Sequence, residues 1–427
     1  MAFNSGFDLA NMADTVWQTS QGHFFSLTGA NGLISRFTIH TDIILVLLVP
    51  LYKLYTSPNV LLMVQAFAIG VSVIPIYLIT KKILKNNFFG ILIATVFLLS
   101  PNTLWANVYD FHPVVLAIPL LFFAIYFLLE KKWLGMWIMI GLSLLTKENV
   151  GAFVAMLGLI AFFKYKEHKI GIALFLIGVS FSLIAIKVVM PLFANGQQHW
   201  ALSWYNFSPG LITRVWNSLT NADAIAYYRD LLVPYGFLPI LAIPWLLPAF
   251  PDIFINLTSE HPEMRSLIYH YQSLTIIMLT ISLIMALYYL RHHHTIRIIA
   301  VIALLFCAIR QNYLYSPLPT STIPWQNMYQ IDSQERDFEK ALEKIPKQAT
   351  VAASAEVRPH VINHPLSYNL PDGASQVDYI AMISRSRLLT DTSPKPYETQ
   401  LIASLKNNPH YLVLYESEPY YLFQKLN

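Results

Sequence analysis

Long apolar segments limit what this chain can become more than any other feature of its sequence. Several runs of roughly 17 to 24 residues carry almost no charge, close to the roughly 20 that a helix needs to cross a bilayer. Charged residues make up only 12% of the chain, against about 25% in a typical soluble domain. The sequence therefore predicts an α-helical polytopic membrane protein. The clearest predicted spans are Val60–Thr80, Phe88–Leu104, Val114–Leu129, Ile170–Met190, Leu267–Leu290 and the shorter Ile298–Ile309.

Basic residues lie in clusters between these spans. Cytoplasmic loops are enriched in Lys and Arg, so the clusters indicate topology, and the net charge of +4 gives no reason to expect nucleic-acid binding. We interpret Trp133–Phe163 as a hairpin broken at 146–149, because one continuous span would put its flanking lysines on opposite sides. The proline-rich segment Leu231–Phe250 is expected to enter and leave on the outer side, which keeps the basic loop Arg291–Arg297 cytoplasmic.

Three regions are expected on these grounds. Residues 1–42 are predicted to be a first external loop with short helices, and we expect a preceding span to be missing. Residues 43–310 are predicted to be the transmembrane domain, with about eight spans plus re-entrant segments such as Ile43–Tyr55. From Asp332 helix and strand patterns alternate, which predicts a small α/β domain over 332–427. Its expected strands are Thr350–Ala353, Tyr379–Ile383, Tyr411–Tyr415 and Tyr420–Gln424.

A short polar turn, Tyr109–Pro113, lies between two predicted spans. An acid and an imidazole so close to lipid are costly, and such residues are functional candidates by default. Asp110 and His112 could position an acceptor, bind a metal or contact a phosphate. The structural alternative is that Asp110 caps the helix that follows it. The hairpin interpretation puts Lys147 and Glu148 on the same side of the membrane as this turn.

Several motifs taken together resemble a known family. The chain is similar to a prokaryotic family of predicted membrane proteins labelled domain of unknown function 2079, most closely over residues 3–285. That family in turn resembles the GT-C glycosyltransferases, a likeness at the level of the fold. The resemblance implies a GT-C-like membrane protein with a small extracytoplasmic C-terminal α/β domain. The motifs are FDLANMADTVW (7–17), RFTIHTD (36–42), YDFHP (109–113), TKEN (146–149), HY (270–271) and RPH (358–360).

The resemblance also implies roles for single residues. GT-C enzymes transfer a sugar from a polyprenyl-phosphate carrier at the outer membrane face and carry an acid in their first external loop. Asp8 matches that acid and would be the general base that deprotonates the acceptor hydroxyl; otherwise it caps a helix over 9–17. Lys147 would bind the carrier phosphate as a point charge, or it is a lysine that snorkels from a membrane-edge turn. Arg36 is a second phosphate candidate, and Glu148 would orient Lys147 or hold the acceptor.

A divalent metal is compatible with the sequence but not required by it. His40 and Asp42 could combine with Asp110 and His112 into the mixed nitrogen and oxygen set that transition metals accept. Nothing in the sequence shows that the two pairs meet. The single cysteine, Cys307, excludes an internal disulfide and a cysteine-based metal site.

The resulting hypothesis is a glycosyltransferase of the prokaryotic plasma membrane that uses a polyprenyl-phosphate sugar at the outer face. Its partners would be the lipid-linked sugar donor and membrane lipids, and the acceptor is left open. Two alternatives remain: a transporter or flippase of a lipid-linked or polar solute, and a non-catalytic membrane assembly protein. Broken helices and intramembrane charge fit a transporter, but its polar residues would lie near the midplane. Here they cluster at one edge, which favours the enzyme.

Overall fold

Short elements form the N-terminal part of the chain. The computed structural model describes residues 3–4, 6–197, 200–205, 210–323, 330–386 and 393–426. A helix begins after Gly6, and an antiparallel hairpin follows whose turn includes Gly32 at a φ of 105°, where a residue without a side chain is unstrained. The elements are α1 (Phe7–Ser20), β1 (Ser26–Gly29), β2 (Gly32–Ser35) and α2 (Ile43–Leu54), the last too short to cross a bilayer.

Apolar helices then run back and forth. Within the described residues, five helices of the chain are long and apolar enough to cross a membrane, or six if a pair bent by 51° counts as one span. The bend lies at Pro101, which has no backbone N–H to continue the helical ladder. The first helices of this body are α3 (Asn59–Leu84), α4 (Asn87–Leu99), α5 (Pro101–Val108), α6 (Pro113–Leu129), α7 (Trp133–Leu144), α8 (Val150–Phe163) and α9 (His168–Phe193).

The turns that carry the basic clusters meet at one end of this bundle. Lys82 forms an ion pair with Glu130 at 2.8 Å, and Lys131 forms one with Glu167 at 2.6 Å. Because Lys131 precedes α7 and Glu167 follows α8, both ends of the segment 133–163 lie together. The segment is therefore a hairpin, as predicted, and its tip lies at the opposite end of the bundle.

The proline-rich segment is re-entrant: it enters the bundle and leaves at the same end. Trp245 Nε1 donates to the Tyr289 hydroxyl (2.9 Å), at the basic end. Asn256 Nδ2 donates to the Tyr227 hydroxyl (2.9 Å), near the opposite end. The segment thus leaves on the side where it entered, as predicted for Leu231–Phe250. The elements here are α10 (Leu211–Thr220), α11 (Ala222–Leu232), α12 (Leu238–Thr258), α13 (Thr275–His292) and α14 (His294–Tyr315).

The C-terminal part is a small α/β unit. Its sheet has the strand order β4-β3-β5-β7-β6, with β3 parallel to β4 and β5, and β7 antiparallel to β5 and β6. All four predicted strands are present, and the sheet also contains the three-residue β4, which was not predicted. The elements are α15 (Ser333–Leu342), β3 (Val351–Ala353), β4 (Ser367–Asn369), β5 (Tyr379–Ile383), α16 (Pro396–Lys406), β6 (Tyr411–Ser417) and β7 (Tyr420–Lys425).

Candidate active site

An amide from a neighbouring helix holds the Tyr109–Pro113 turn. Gln65 in α3 donates through Nε2 to the carbonyl oxygens of Asn107 (2.9 Å) and Asp110 (2.7 Å), and its Oε1 accepts from the His112 amide (2.8 Å). Gln65 is fully buried, and it satisfies three backbone groups that have no helical partner. Asp110 has a φ of 44°, uncommon for a residue with a side chain. Sequence reasoning missed Gln65, although an amide inside an apolar run was a visible signal.

The side chain of Asp110, in this turn, caps helix α1. Its carboxylate accepts from the Gly6 amide at 3.1 and 3.0 Å and from the Leu9 amide at 3.4 Å. It therefore satisfies the first amides of a helix that has no capping side chain of its own. Capping was the structural alternative for Asp110, but the capped helix is α1 and not the one that follows it. Burial and the charge of Asp8 raise the pKa of Asp110 to about 6, against the opposing effect of His112 and the two amides.

Asp8 lies in the first turn of α1, beside His112. Its Oδ2 is 3.3 Å from His112 Nε2, and its side chain keeps 36% of its surface exposed. Burial alone would raise the pKa of Asp8, but the ion pair with His112 and the charges of Arg36 and Lys147 lower it below its usual value. Asp8 is therefore an ionised and accessible carboxylate at neutral pH.

A second imidazole packs on His112. The rings of His112 and His270 stack with their centroids 3.5 Å apart and their planes at 17°, and both side chains are buried. Burial, followed by the charges of His112, Lys147 and His40, lowers the pKa of His270 well below its usual value. His270 is therefore neutral. Sequence reasoning noted the pair at 270–271 but gave His270 no role.

Lys147 and Glu148 form the hairpin tip, and their environments differ. Glu148 Oε1 is 2.8 Å from His40 Nδ1, and Oε2 accepts from the Thr41 amide at 3.3 Å. Burial would raise the pKa of Glu148, but His40 and then Lys147 hold it well below its usual range. Lys147 is half-buried, and its ammonium group makes no ion pair with any side chain in the described ranges. Its charge still acts on the carboxylates of Asp8 and Glu148.

Arg36 is engaged by Asp42. Its Nε and Nη2 donate to Asp42 Oδ1 (3.1 Å) and Oδ2 (2.7 Å), and Nη2 also lies 3.1 Å from Met12 Sδ. Both charged side chains are almost fully buried. This forked geometry gives short, charge-assisted hydrogen bonds. The residue predicted to bind phosphate and the residue predicted to bind metal are thus each other's partners.

The four side chains grouped as a metal set all have other partners. His40, Asp42, Asp110 and His112 are each bound to one of the groups described above. No three His, Cys, Asp or Glu side chains in the part of the chain that the structure describes are placed to hold a metal ion. The stacked imidazoles are not a chelating pair, because their lone pairs lie in two nearly parallel planes and do not converge on one point. The geometry therefore gives no support to a metal at these four residues.

An apolar cavity of about 210 Å³ adjoins the hairpin tip. It lies between the segment that joins β2 to α2 and the C-terminal half of α9. Thr41 connects it to the polar site through the bond to Glu148, and Ile184 on its wall is about half exposed on the apolar outer surface. The lining residues are Phe37, Thr41, Ile43, Leu145, Phe181, Ile184, Ala185 and Val189.

Comparisons with known proteins agree with this architecture. A family model described as "Predicted membrane protein (DUF2079)" matches residues 2–420. The chain is similar to the crystal structure of ArnT from Cupriavidus metallidurans bound to undecaprenyl phosphate, with 10% identity, a TM-score of 0.58, and coverage of 98% of this chain and 94% of that chain. None of the curated proteins matches the sequence. At this identity the likeness shows the fold, and it confirms the predicted helical membrane protein with a small C-terminal α/β unit.

Proposed function

This chain belongs to the DUF2079 family of predicted membrane proteins, and we propose that it is a glycosyltransferase that takes its sugar from a polyprenyl-phosphate carrier at the outer membrane face. One observation carries the proposal. An ionised, accessible carboxylate, Asp8, and an ammonium group without an ion-pair partner among the described residues, Lys147, lie at the bundle end opposite the basic turns. The proposed reaction uses a base for the acceptor hydroxyl and a cation for the carrier phosphate, and these two groups can supply them. The fold match to ArnT bound to undecaprenyl phosphate supports the choice of carrier.

The chemistry follows from the two charges. Asp8 accepts the proton of an acceptor hydroxyl while that oxygen forms a bond to the anomeric carbon of the sugar. The bond between the anomeric carbon and the phosphate oxygen breaks, and its electron pair leaves with the carrier phosphate. The Lys147 ammonium stabilises the negative charge that develops there. His112 and Asp110 do not react in this scheme; they hold Asp8 and the start of α1.

The apolar cavity supplies a place for the start of the carrier's hydrocarbon chain. Its wall contains Leu145, two residues before Lys147, which supports a carrier whose chain lies in the cavity and whose phosphate binds Lys147. The cavity wall continues into the exposed apolar surface of α9, where lipid would lie. Burial of apolar surface there would add to the charge attraction at Lys147.

The proposal that the site lies at the outer membrane face rests on the distribution of basic residues. The lysine-rich turns meet at one end, as the ion pairs of Lys82 and Lys131 indicate, and loops rich in Lys and Arg are retained in the cytoplasm. Asp8 and Lys147 are at the opposite end, which would then be outside. A transporter remains the rival, but the polar residues gather at one end of the bundle and not at its midplane.

The test is turnover of a polyprenyl-phosphate sugar by purified protein. We expect release of free carrier phosphate in the wild type, a fall of about 10²- to 10⁴-fold for Asp8→Asn, and loss of donor binding for Lys147→Ala. Asp223→Asn is the matched control, because Asp223 is an exposed acid in the first turn of α11. Donor binding without turnover, lost in Lys147→Ala but unchanged in Asp8→Asn, would contradict the enzyme and favour transport.

A further inference from the structure

We infer that Arg358, in the C-terminal α/β unit, is a positioning residue that holds helix α1 and with it Asp8; its catalytic consequence rests on the proposed function. The guanidinium group is almost fully buried and points out of its own unit. Nη1 donates to Asn11 Oδ1 at 2.6 Å and Nη2 to Asp14 Oδ2 at 2.9 Å. Only Nε stays within the unit, bound to the Ser367 carbonyl oxygen at 2.7 Å.

The contact lies one turn from the proposed base. Asn11 follows Asp8 by three residues, and side chains three apart are neighbours on a helix surface. Asp14 lies nearly one further turn along, and its carboxylate also accepts from the Thr28 amide at 2.7 Å. A shift of Arg358 would therefore be passed along a single rigid helix to Asp8.

Helix α1 is held from two sides. Asp110 of the helical body binds its first amides, and the C-terminal unit binds its middle and end. Gln18 donates to the Pro365 carbonyl oxygen at 3.0 Å, and the Trp17 indole donates to the His364 carbonyl oxygen at 3.2 Å. The proposed base thus lies on a helix clamped between the two parts of the protein.

The clamp also has an apolar part. Phe3, four residues before the start of α1, is buried in the core of the C-terminal unit and stacks on His360 at a centroid distance of 3.9 Å. The polar and apolar contacts together fix both ends of the stretch that contains Asp8. We therefore assign the C-terminal unit a part in the geometry of the site.

The chemistry of the pair makes the inference testable. Lysine keeps the charge of Arg358 but cannot bind Asn11 and Asp14 as a fork. Complete removal of Arg358 would leave a buried, uncompensated charge on Asp14, which is strongly destabilising. A double variant, Arg358→Met with Asp14→Asn, removes both charges and so separates loss of position from loss of folding.

The experiment measures amide hydrogen exchange of Phe7–Ser20 in the full chain. In parallel it measures donor turnover, which gives KM for the donor and kcat per donor-binding site. For Arg358→Lys and for the double variant we expect at least tenfold faster exchange in α1 and unchanged exchange in β5. We also expect kcat to fall by up to the order of 10²-fold, the cost of a misplaced group, at unchanged KM. The control is Arg336→Lys, an exposed arginine of α15.

The two proposals can fail separately. Unchanged exchange in α1, or an unchanged kcat per binding site in the double variant, would overturn the positioning role. A wild type that turns over no donor would overturn the proposed function, and the exchange measurement would still decide whether Arg358 holds α1.

Discussion

Asp8 and Asp110 are the same chemical group, but their pKa values are shifted in opposite directions. Asp8 is partly exposed and lies against His112, with a lowered pKa, whereas Asp110 is buried beside the charge of Asp8, with a pKa raised to about 6. Charge partners favour the ionised form of the first, and desolvation disfavours it in the second. The accessible carboxylate is thus the one suited to accept a proton, and the buried one is suited to hold the helix.

The stability of the protein is expected to depend on pH through Asp110. Because its folded pKa lies above the value of 3.8 for a free aspartate, the folded state binds the proton more tightly. That stabilisation is complete below pH 3.8 and is lost as pH rises through about 6, at no more than about 1.4 kcal/mol per pH unit. The melting temperature of the wild type relative to Asp110→Asn should therefore decline from pH 4 to 7. Parallel curves for the two proteins would contradict the assignment.

Helices α8 and α9 approach each other more closely than side chains would allow. A Cβ atom on Gly178 would lie 2.3 Å from the Gly151 carbonyl oxygen, and one on Gly158 would lie 2.6 Å from the Gly171 carbonyl oxygen. Small residues permit such contact between helices inside a membrane. The contact also serves the site, because Ser182 of α9 donates to the Glu148 carbonyl oxygen at 2.7 Å, just before α8 begins.

Gly178→Val should separate these two helices. The added side chain overlaps backbone atoms that cannot move aside locally, so we expect destabilisation of at least about 1 kcal/mol. We also expect the hydrogen bond from Ser182 to the hairpin tip to weaken. Melting of detergent-solubilised protein would measure the first effect and donor binding the second. Gly141→Val is the control, since a Cβ atom there meets nothing within 4 Å. Equal melting temperatures for the two variants would show that the close approach is not required.

The helical bundle has two chemically distinct ends. Lysines and arginines occupy the turns at one end, joined by ion pairs, while the polar site lies at the other. The C-terminal unit is joined to this second end, through the contacts of Arg358 and Gln18 with α1. The side of the membrane on which one exposed residue lies at each end is therefore enough to determine the topology of the protein.

Cysteine labelling tests this orientation. In a Cys307→Ala background, Ser375→Cys in the C-terminal unit should react with a membrane-impermeant maleimide in intact cells. Lys132→Cys, in the basic turn before α7, should react only after the membrane is permeabilised; both positions are exposed. The expectation comes from the retention of basic loops in the cytoplasm. Labelling of Lys132→Cys in intact cells would reverse the topology and place Asp8 in the cytoplasm.

Local patterns were enough for much of this protein. Apolar run length predicted the helices, and lysines on both sides of Trp133–Phe163 predicted the hairpin. Helix patterns that alternate with strand patterns predicted the C-terminal α/β unit and four of its strands. One boundary was wrong for a tertiary reason: Leu267–Leu290 was expected to be helical throughout, but α13 begins at Thr275. The residues before it form the loop in which His270 stacks on His112. Hydropathy could not distinguish that loop from the span it precedes.

The partners of the polar residues could be found only in the folded chain. Arg36 and Asp42 were expected to bind ligands, and instead they bind each other. Asp110 caps a helix about a hundred residues earlier in the chain. Arg358 binds α1 across a separation of more than three hundred residues. The physical reason is the separation in sequence over which each interaction acts. Hydrophobic burial depends on the composition of each segment and can be predicted from neighbours in sequence, whereas a buried charge takes whichever partner the packing of distant segments brings within hydrogen-bonding distance.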